Sequence, residues 1–124
     1  MEKRWKELAD VAAAALLDRR AQDVTLLDTE QMTTVCDGFL LASGRSTLQV
    51  RALADAVEEK VGETLRIAPL RKEGYAAGRW IVLDYSGLMV HIFHTEDRAF
   101  YNLERLWDRT ENRYDYKEEN GGAE

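Results

Sequence analysis

With 124 residues, 45% hydrophobic and 32% charged, the chain suits one domain with one real core. Its formal net charge of −6 argues against non-specific nucleic-acid binding as the main task, because that binding runs on Lys and Arg neutralising phosphates; a basic protein partner is electrostatically easier. No apolar run approaches the roughly 18 residues that span a bilayer, the mixed-charge start has no secretory-type apolar run, and the single cysteine, Cys36, builds no internal disulfide, so a reducing, cytoplasmic setting is the default expectation.

Residues 4 to 20 predict an amphipathic helix, with Trp5, Leu8, Ala12 and Leu16 at three- and four-residue steps and Arg19 and Arg20 suited to its negative end. Val24 to Asp28 predicts a short strand, followed by a loop through Gln31 and Thr34. The continuous apolar run Gly38 to Ala42 suits a central strand covered on both faces. Ser46 with Gln49 fits a capping box for a second helix, whose buried stripe is Val50, Ala54, Val57 and Val61 and whose expected stop is Gly62. Residues 65 to 68 are read as an edge strand ended by Pro69, and 71 to 78 as a charged loop.

Trp80 to Tyr85 and Leu88 to Phe93 then form a hairpin around Ser86-Gly87. Thr95 is the expected N-cap of a last helix with Ala99, Leu103, Leu106 and Trp107 on its apolar stripe. The order helix, strand, strand, helix, strand, strand, strand, helix predicts a single α/β domain with a mixed sheet and packed helices over residues 1 to 110. Residues 111 to 124, rich in charge and Gly, are expected to be a disordered acidic tail.

The two-residue loop sets the register: Asp84 faces Met89, Val82 faces His91 and Trp80 faces Phe93. Alternation puts Ile81, Leu83, Tyr85, Leu88, Val90 and Ile92 on an aliphatic face, and Trp80, Val82, Asp84, Met89, His91 and Phe93 on a mixed one. The aliphatic face belongs under the helices. The mixed face has the Trp, Met and aromatic content of an interface centre, or it is a second core lidded by the last helix, with Asp84 and His91 as an internal pair.

Reaction chemistry finds little support. His91 and His94 point to opposite faces of a strand, and no other spacing completes a zinc site. Asp84 and His91 are diagonal neighbours that could tune a base, yet no nucleophile elbow is present. Ser43-Gly44-Arg45-Ser46, at a strand-to-helix turn, can offer backbone N–H groups to an anion and is reminiscent of nucleotidyltransferases. Those enzymes need paired metal-holding carboxylates on the next strand, and Leu65 to Ala68 offers none. A nucleotide-binding enzyme of that type is therefore the alternative reading, and no catalytic residue, metal or cofactor is expected.

A longer series of residues carries a resemblance. Leu27-Asp28, Asp37 with Phe39, Ser43-Gly44 with Ser46 and Gln49, Ala52-Leu53-Ala54, Glu73-Gly74, Trp80, Leu83-Asp84-Tyr85, Val90-His91-Ile92-Phe93, Arg98, Tyr101, Leu103-Glu104, Leu106 and Trp107 together resemble the ribosomal silencing factor (Iojap) family from about residue 2 to residue 107. The resemblance implies a nucleotidyltransferase-like fold without the active site. It implies binding to large-subunit ribosomal protein fourteen, steric blocking of subunit association, and lowered translation when nutrients are scarce.

The chain departs from the family twice. Ser86-Gly87 replaces the usual Gly-acidic tip, which shifts the turn from a II′-like to a I′-like pattern and removes a carboxylate that could face a basic partner. Gly38 stands where an aromatic is common. On this basis Trp80 and Met89 are expected apolar anchors, and Asp84 and His91 polar orienters. Tyr101, Leu103 and Trp107 extend or buttress the patch, and Tyr85 completes the candidate partner-binding set. A homodimer of the free chain through a self-complementary mixed face is a further reading.

Overall fold

The structure, a computed structural model of the protein, describes residues 4–34 and 36–117. A mixed sheet of six strands runs in the order β3-β4-β5-β2-β1-β6. Among the described residues only the β2–β5 pairing is parallel. The first helix, α1 (Arg4–Asp18), buries Trp5, Leu8, Ala12 and Leu16 as their spacing requires. It ends without a glycine. Arg20 takes the left-handed conformation at φ 64°, its N–H reaches the Leu17 carbonyl, and the Ala21 N–H reaches Leu16 (2.9 Å), a Schellman-type closure.

The strands β1 (Gln22–Asp28) and β2 (Gly38–Gly44) pair antiparallel. Every residue of β2 is buried, as its unbroken apolar run requires of a strand covered on both faces. The helix α2 (Thr47–Leu65) opens on the predicted Ser46 cap, its hydroxyl accepting from the Gln49 N–H (3.0 Å), while the Gln49 side chain reaches one residue beyond the cap and accepts from the Arg45 N–H (2.7 Å). Gly62 does not stop this helix. Arg66 does, left-handed at φ 60°, its N–H donating to the Gly62 carbonyl.

The edge strand expected at 65 to 68 is displaced. The outer strand is β3 (Arg71–Glu73), in the stretch read as a loop, paired with β4 (Trp80–Asp84). Its three residues are all exposed, so it carries no alternating pattern to betray it. Cross-element charge holds it instead, Arg71 on Asp84 and Lys72 on Glu58 (2.7 Å). The expected tail is likewise a strand in part: β6 (Arg113–Asp115) pairs with the free edge of β1. Residues 118 to 124 of that expectation lie outside the described residues.

The hairpin of β4 and β5 (Leu88–His94) has the predicted register, with Trp80 opposite Phe93, Val82 opposite His91 and Asp84 opposite Met89. Its tip is not of the I′ kind. Ser86 has φ 76° while Gly87 stays out of the left-handed region, and the Gly87 N–H returns to the Tyr85 carbonyl (3.0 Å) in a γ-turn. A Cβ on Gly87 would lie 3.2 Å from the Trp5 Cβ, a tight contact that would press on α1.

The α1–α2 pair and the aliphatic hairpin face form the main core. Two short helices, α3 (Thr95–Tyr101) and α4 (Glu104–Trp107), close the C-terminal part. The cap of α3 is His94 rather than Thr95, its Nδ1 accepting from the Glu96 N–H (3.2 Å).

Gly38 shows how an aromatic can be supplied from elsewhere. A side chain at 38 would enter the ring of Trp5, 2.7 Å from its Cε3, and that indole is tied down by donating to Glu30 (2.9 Å). Gly38→Ala is expected to cost about 1–3 kcal/mol by overpacking, read as a lower urea midpoint; an unchanged midpoint would mean that Trp5 swings aside freely.

Candidate partner-binding site

The mixed hairpin face lies on the side of the sheet opposite α1 and α2. Leu27, Cys36, Phe39, Leu41 and Phe93 form a second buried cluster there, and Trp80, Met89, Leu103 and Trp107 sit half-buried around it. Neighbouring strands supply Leu27, Phe39 and Leu41, while the chain after α3 folds back to bring Leu103 and Trp107. The C-terminal segment covers part of this face, and a shelf of partly exposed aromatic and Met side chains remains.

Trp80 is the hub. Its ring stacks on Phe93 (4.9 Å between centroids) and tilts against Tyr101 (5.1 Å). Its indole N–H donates to His91 Nδ1 (3.0 Å). Phe39 stands edge-on to both His91 and Trp107, each at 5.2 Å. His91 is 6% exposed, and burial pushes its pKa down to about 4. The ring is therefore neutral near pH 7, with its proton on Nε2 because Nδ1 accepts. That Nε2–H has no partner among the described residues.

Seven of the eight candidate residues come together on this side of the sheet or its rim. Trp80, Met89, Leu103 and Trp107 form the shelf, Tyr101 is 53% exposed beside Trp80, and His91 lies beneath. Asp84 is at the hairpin end, but it does not pair with His91. Its carboxylate accepts from Arg71 (3.2 Å) and from the Ser86 N–H (2.8 Å). Tyr85 is the exception. It is 7% exposed on the aliphatic face, within the main core, because alternation turns it away from Asp84. It is not available to a partner seated on the mixed face.

Sequence reasoning missed two parts of the site. One is an exposed rim of Phe100 (80%) and Leu106 (64%), with Phe100 edge-on to Tyr101 (5.0 Å); the positions were visible, but a single long helix would have turned Phe100 elsewhere. The other is Arg98, 8% exposed, which is anchored by both oxygens of Glu104 (3.1 Å each) and donates to the Asp23 carbonyl (2.6 Å) and the Ser43 hydroxyl (3.0 Å). This arginine ties α3 and α4 to β1 and β2. Its spacing to Glu104 crosses the left-handed Asn102 (φ 49°), so no helical periodicity reveals it.

The anion-ready turn before α2 spends its Arg45 and Gln49 N–H groups on the helix's own cap. Among the described residues no group of three or more His, Cys, Asp or Glu side chains is placed to hold a metal, and no helix is long and apolar enough to cross a membrane.

Residues 2–123 match the family model described as "Ribosomal silencing factor during starvation". The ribosomal silencing factor of Bacillus subtilis is 39% identical over 102 residues, which cover 82% of this chain and 86% of that protein. A Mus musculus protein named for mitochondrial assembly of the ribosomal large subunit is 27% identical over 100 residues, 79% of this chain and 44% of that one. A crystal structure of a Chromobacterium violaceum protein aligns with a TM-score of 0.80 at 33% identity, covering 86% of this chain and 87% of the other. One from Bacillus halodurans aligns at 0.72 with 38% identity, covering 82% and 94%. The chain belongs to the ribosomal silencing factor family.

Proposed function

We propose that the chain binds the large ribosomal subunit in the cytoplasm by seating its Trp80–Met89–Trp107 shelf on large-subunit ribosomal protein fourteen. In that position it keeps the small subunit from joining, and translation falls when nutrients are scarce. No covalent step is required. A folded domain lodged at a joint blocks closure by its volume, for as long as it outlasts encounters with the small subunit.

The observation that carries this reading is the half-buried shelf itself: Trp80, Met89, Leu103 and Trp107 over a small buried cluster, rimmed by exposed Phe100, Tyr101 and Leu106. Monomeric proteins rarely leave such aromatic surface uncovered without a partner, and aromatic side chains over a packed floor are where binding energy concentrates. The net charge of −6 favours encounter with a basic ribosomal protein.

The test is co-sedimentation of the purified chain with large subunits. Trp80→Ala combined with Met89→Ala is expected to weaken binding by at least about tenfold while the domain stays folded, the loss typical of truncated anchors. Parent-like binding by the folded double variant would remove the shelf as the binding face.

A further inference from the structure

The shelf depends on a helix that cannot hold itself. α4 has four residues, no side-chain N-cap bond and no buried residue, far short of the length at which a helix persists alone. Yet it presents Trp107 edge-on to Phe39 and comes directly after Leu103. Arg98 pins its first residue, Glu104, from the N-terminal side, and the end that carries Trp107 is held by the chain on its C-terminal side.

Residues 108–117 form a polar harness there. The Asn112 side-chain amide donates to the carbonyls of Trp107 (2.8 Å) and Asp28 (2.9 Å), and its oxygen accepts from the Arg109 N–H (2.8 Å). The Asn112 carbonyl accepts from the Asp28 N–H (2.9 Å). One side chain thus joins the end of α4 to the end of β1. Arg113 then pairs with Asp108 (2.6 Å) and Asp115 (3.0 Å) and approaches Glu104 (3.8 Å). The Thr25 hydroxyl donates to Asp115 (2.8 Å), and Tyr116 donates its hydroxyl to Asp10 of α1 (2.8 Å). All three β6 side chains are exposed, so hydrogen bonds and charge, not apolar burial, secure this strand.

We propose that residues 108–117 are a strap in which Asn112 is a positioning residue: it sets Trp107, and with it Leu103, in the binding face, so that the face is complete only while β6 is paired with β1. This rests on the reading of the shelf as the large-subunit site. The strap lies at the far edge of the sheet from Trp80, separated from β5 by β2 and β1. It acts through α4 rather than by touching the partner. Asparagine suits the position because two carbonyls must be satisfied by one group with two N–H donors; aspartate has the same shape and no donor.

Asn112→Asp in the full chain tests this by two readouts, large-subunit co-sedimentation and amide hydrogen exchange. Binding is expected to weaken by about tenfold, as for loss of one anchor, with faster exchange confined to residues 104 to 117 and unchanged protection in the 80–93 hairpin. Unchanged exchange in α4, or parent-like binding despite faster exchange there, overturns the strap. If Asn112→Asp loosens the whole domain, Arg113→Gln, which weakens β6 from the exposed side, is read by the same two criteria. Parent-like binding by the strap variant alone sinks only this proposal. Parent-like binding by the Trp80/Met89 variant as well sinks the assignment of the face.

Discussion

Glu104→Ala is expected to lower unfolding free energy by about 3–5 kcal/mol, the range for removing one partner of a buried ion pair. The reason lies in Arg98, whose guanidinium is almost wholly enclosed and receives its short-range charge compensation from the two Glu104 oxygens. Its other acceptors, the Asp23 carbonyl and the Ser43 hydroxyl, are neutral. Arginine cannot escape by losing its proton, so the variant must either bury a bare cation or pull α3 off the sheet. Arg113, 3.8 Å from the same carboxylate, loses part of its anchorage too. Urea unfolding measures the loss. The paired replacement Arg98→Met with Glu104→Leu should recover part of it, because an apolar pair of similar volume does not carry the desolvation cost, while the Asp23 carbonyl and the Ser43 hydroxyl still lose their arginine donor. A Glu104→Ala variant within about 0.5 kcal/mol of the parent, the range of an ordinary surface substitution, would show that water already screens the pair.

The same residues show where sequence reasoning reaches and where it stops. The hairpin register, the doubly covered β2 and the cap of α2 are each set by local signals: a two-residue loop, an unbroken apolar run, a Ser and a Gln three apart. Those signals are legible in the residues alone. The strands β3 and β6 are not, because they are short, exposed edge strands held by Lys72–Glu58, Arg113–Asp108 and the Asn112 amide, and such contacts leave no periodicity. The α1 helix closes at Arg20, where its end was expected, but the end of α2 was missed because Arg66, not a glycine, takes the left-handed conformation there, so the expected glycine marker at 62 pointed to the wrong turn.

His91 is the most instructive case within the site. The register places it diagonal to both Trp80 and Asp84, and in a flat ladder the two choices are equivalent. Strand twist makes the two diagonals unequal. Arg71, on a strand that the sequence did not disclose, also occupies Asp84. The polar pair expected between Asp84 and His91 is therefore replaced by an indole–imidazole hydrogen bond on one side and an arginine–aspartate pair on the other.

That exchange makes stability depend on pH through His91. Its pKa falls from 6.5 to about 4 because burial penalises the imidazolium. The unfolded chain therefore takes up a proton below about pH 6.5 while the folded chain stays neutral until about pH 4. The unfolded state binds more protons in this window, so stability rises with pH. The contribution is complete above the unfolded value and is lost progressively as pH falls toward the folded one. From pH 7 to pH 4.5 the expected loss is about 2–3 kcal/mol.

Asp97 and Asp108, held low by Arg79 and by the Thr110 N–H with Arg113, lose their contributions only below the ordinary carboxylate value, outside most of this range. His91→Phe should flatten the difference: chemical unfolding at pH 7 and at pH 4.5 would give a smaller drop than in the parent by that same amount. Identical slopes in the two chains would mean that His91 titrates normally and that its enclosure is not maintained in solution. Protonation of the folded imidazole also takes from Nδ1 the lone pair that accepts from the Trp80 indole, so release of the central aromatic of the shelf, read as lost large-subunit co-sedimentation by the parent, is expected only near and below about pH 4, at the acid end of the window in which stability falls.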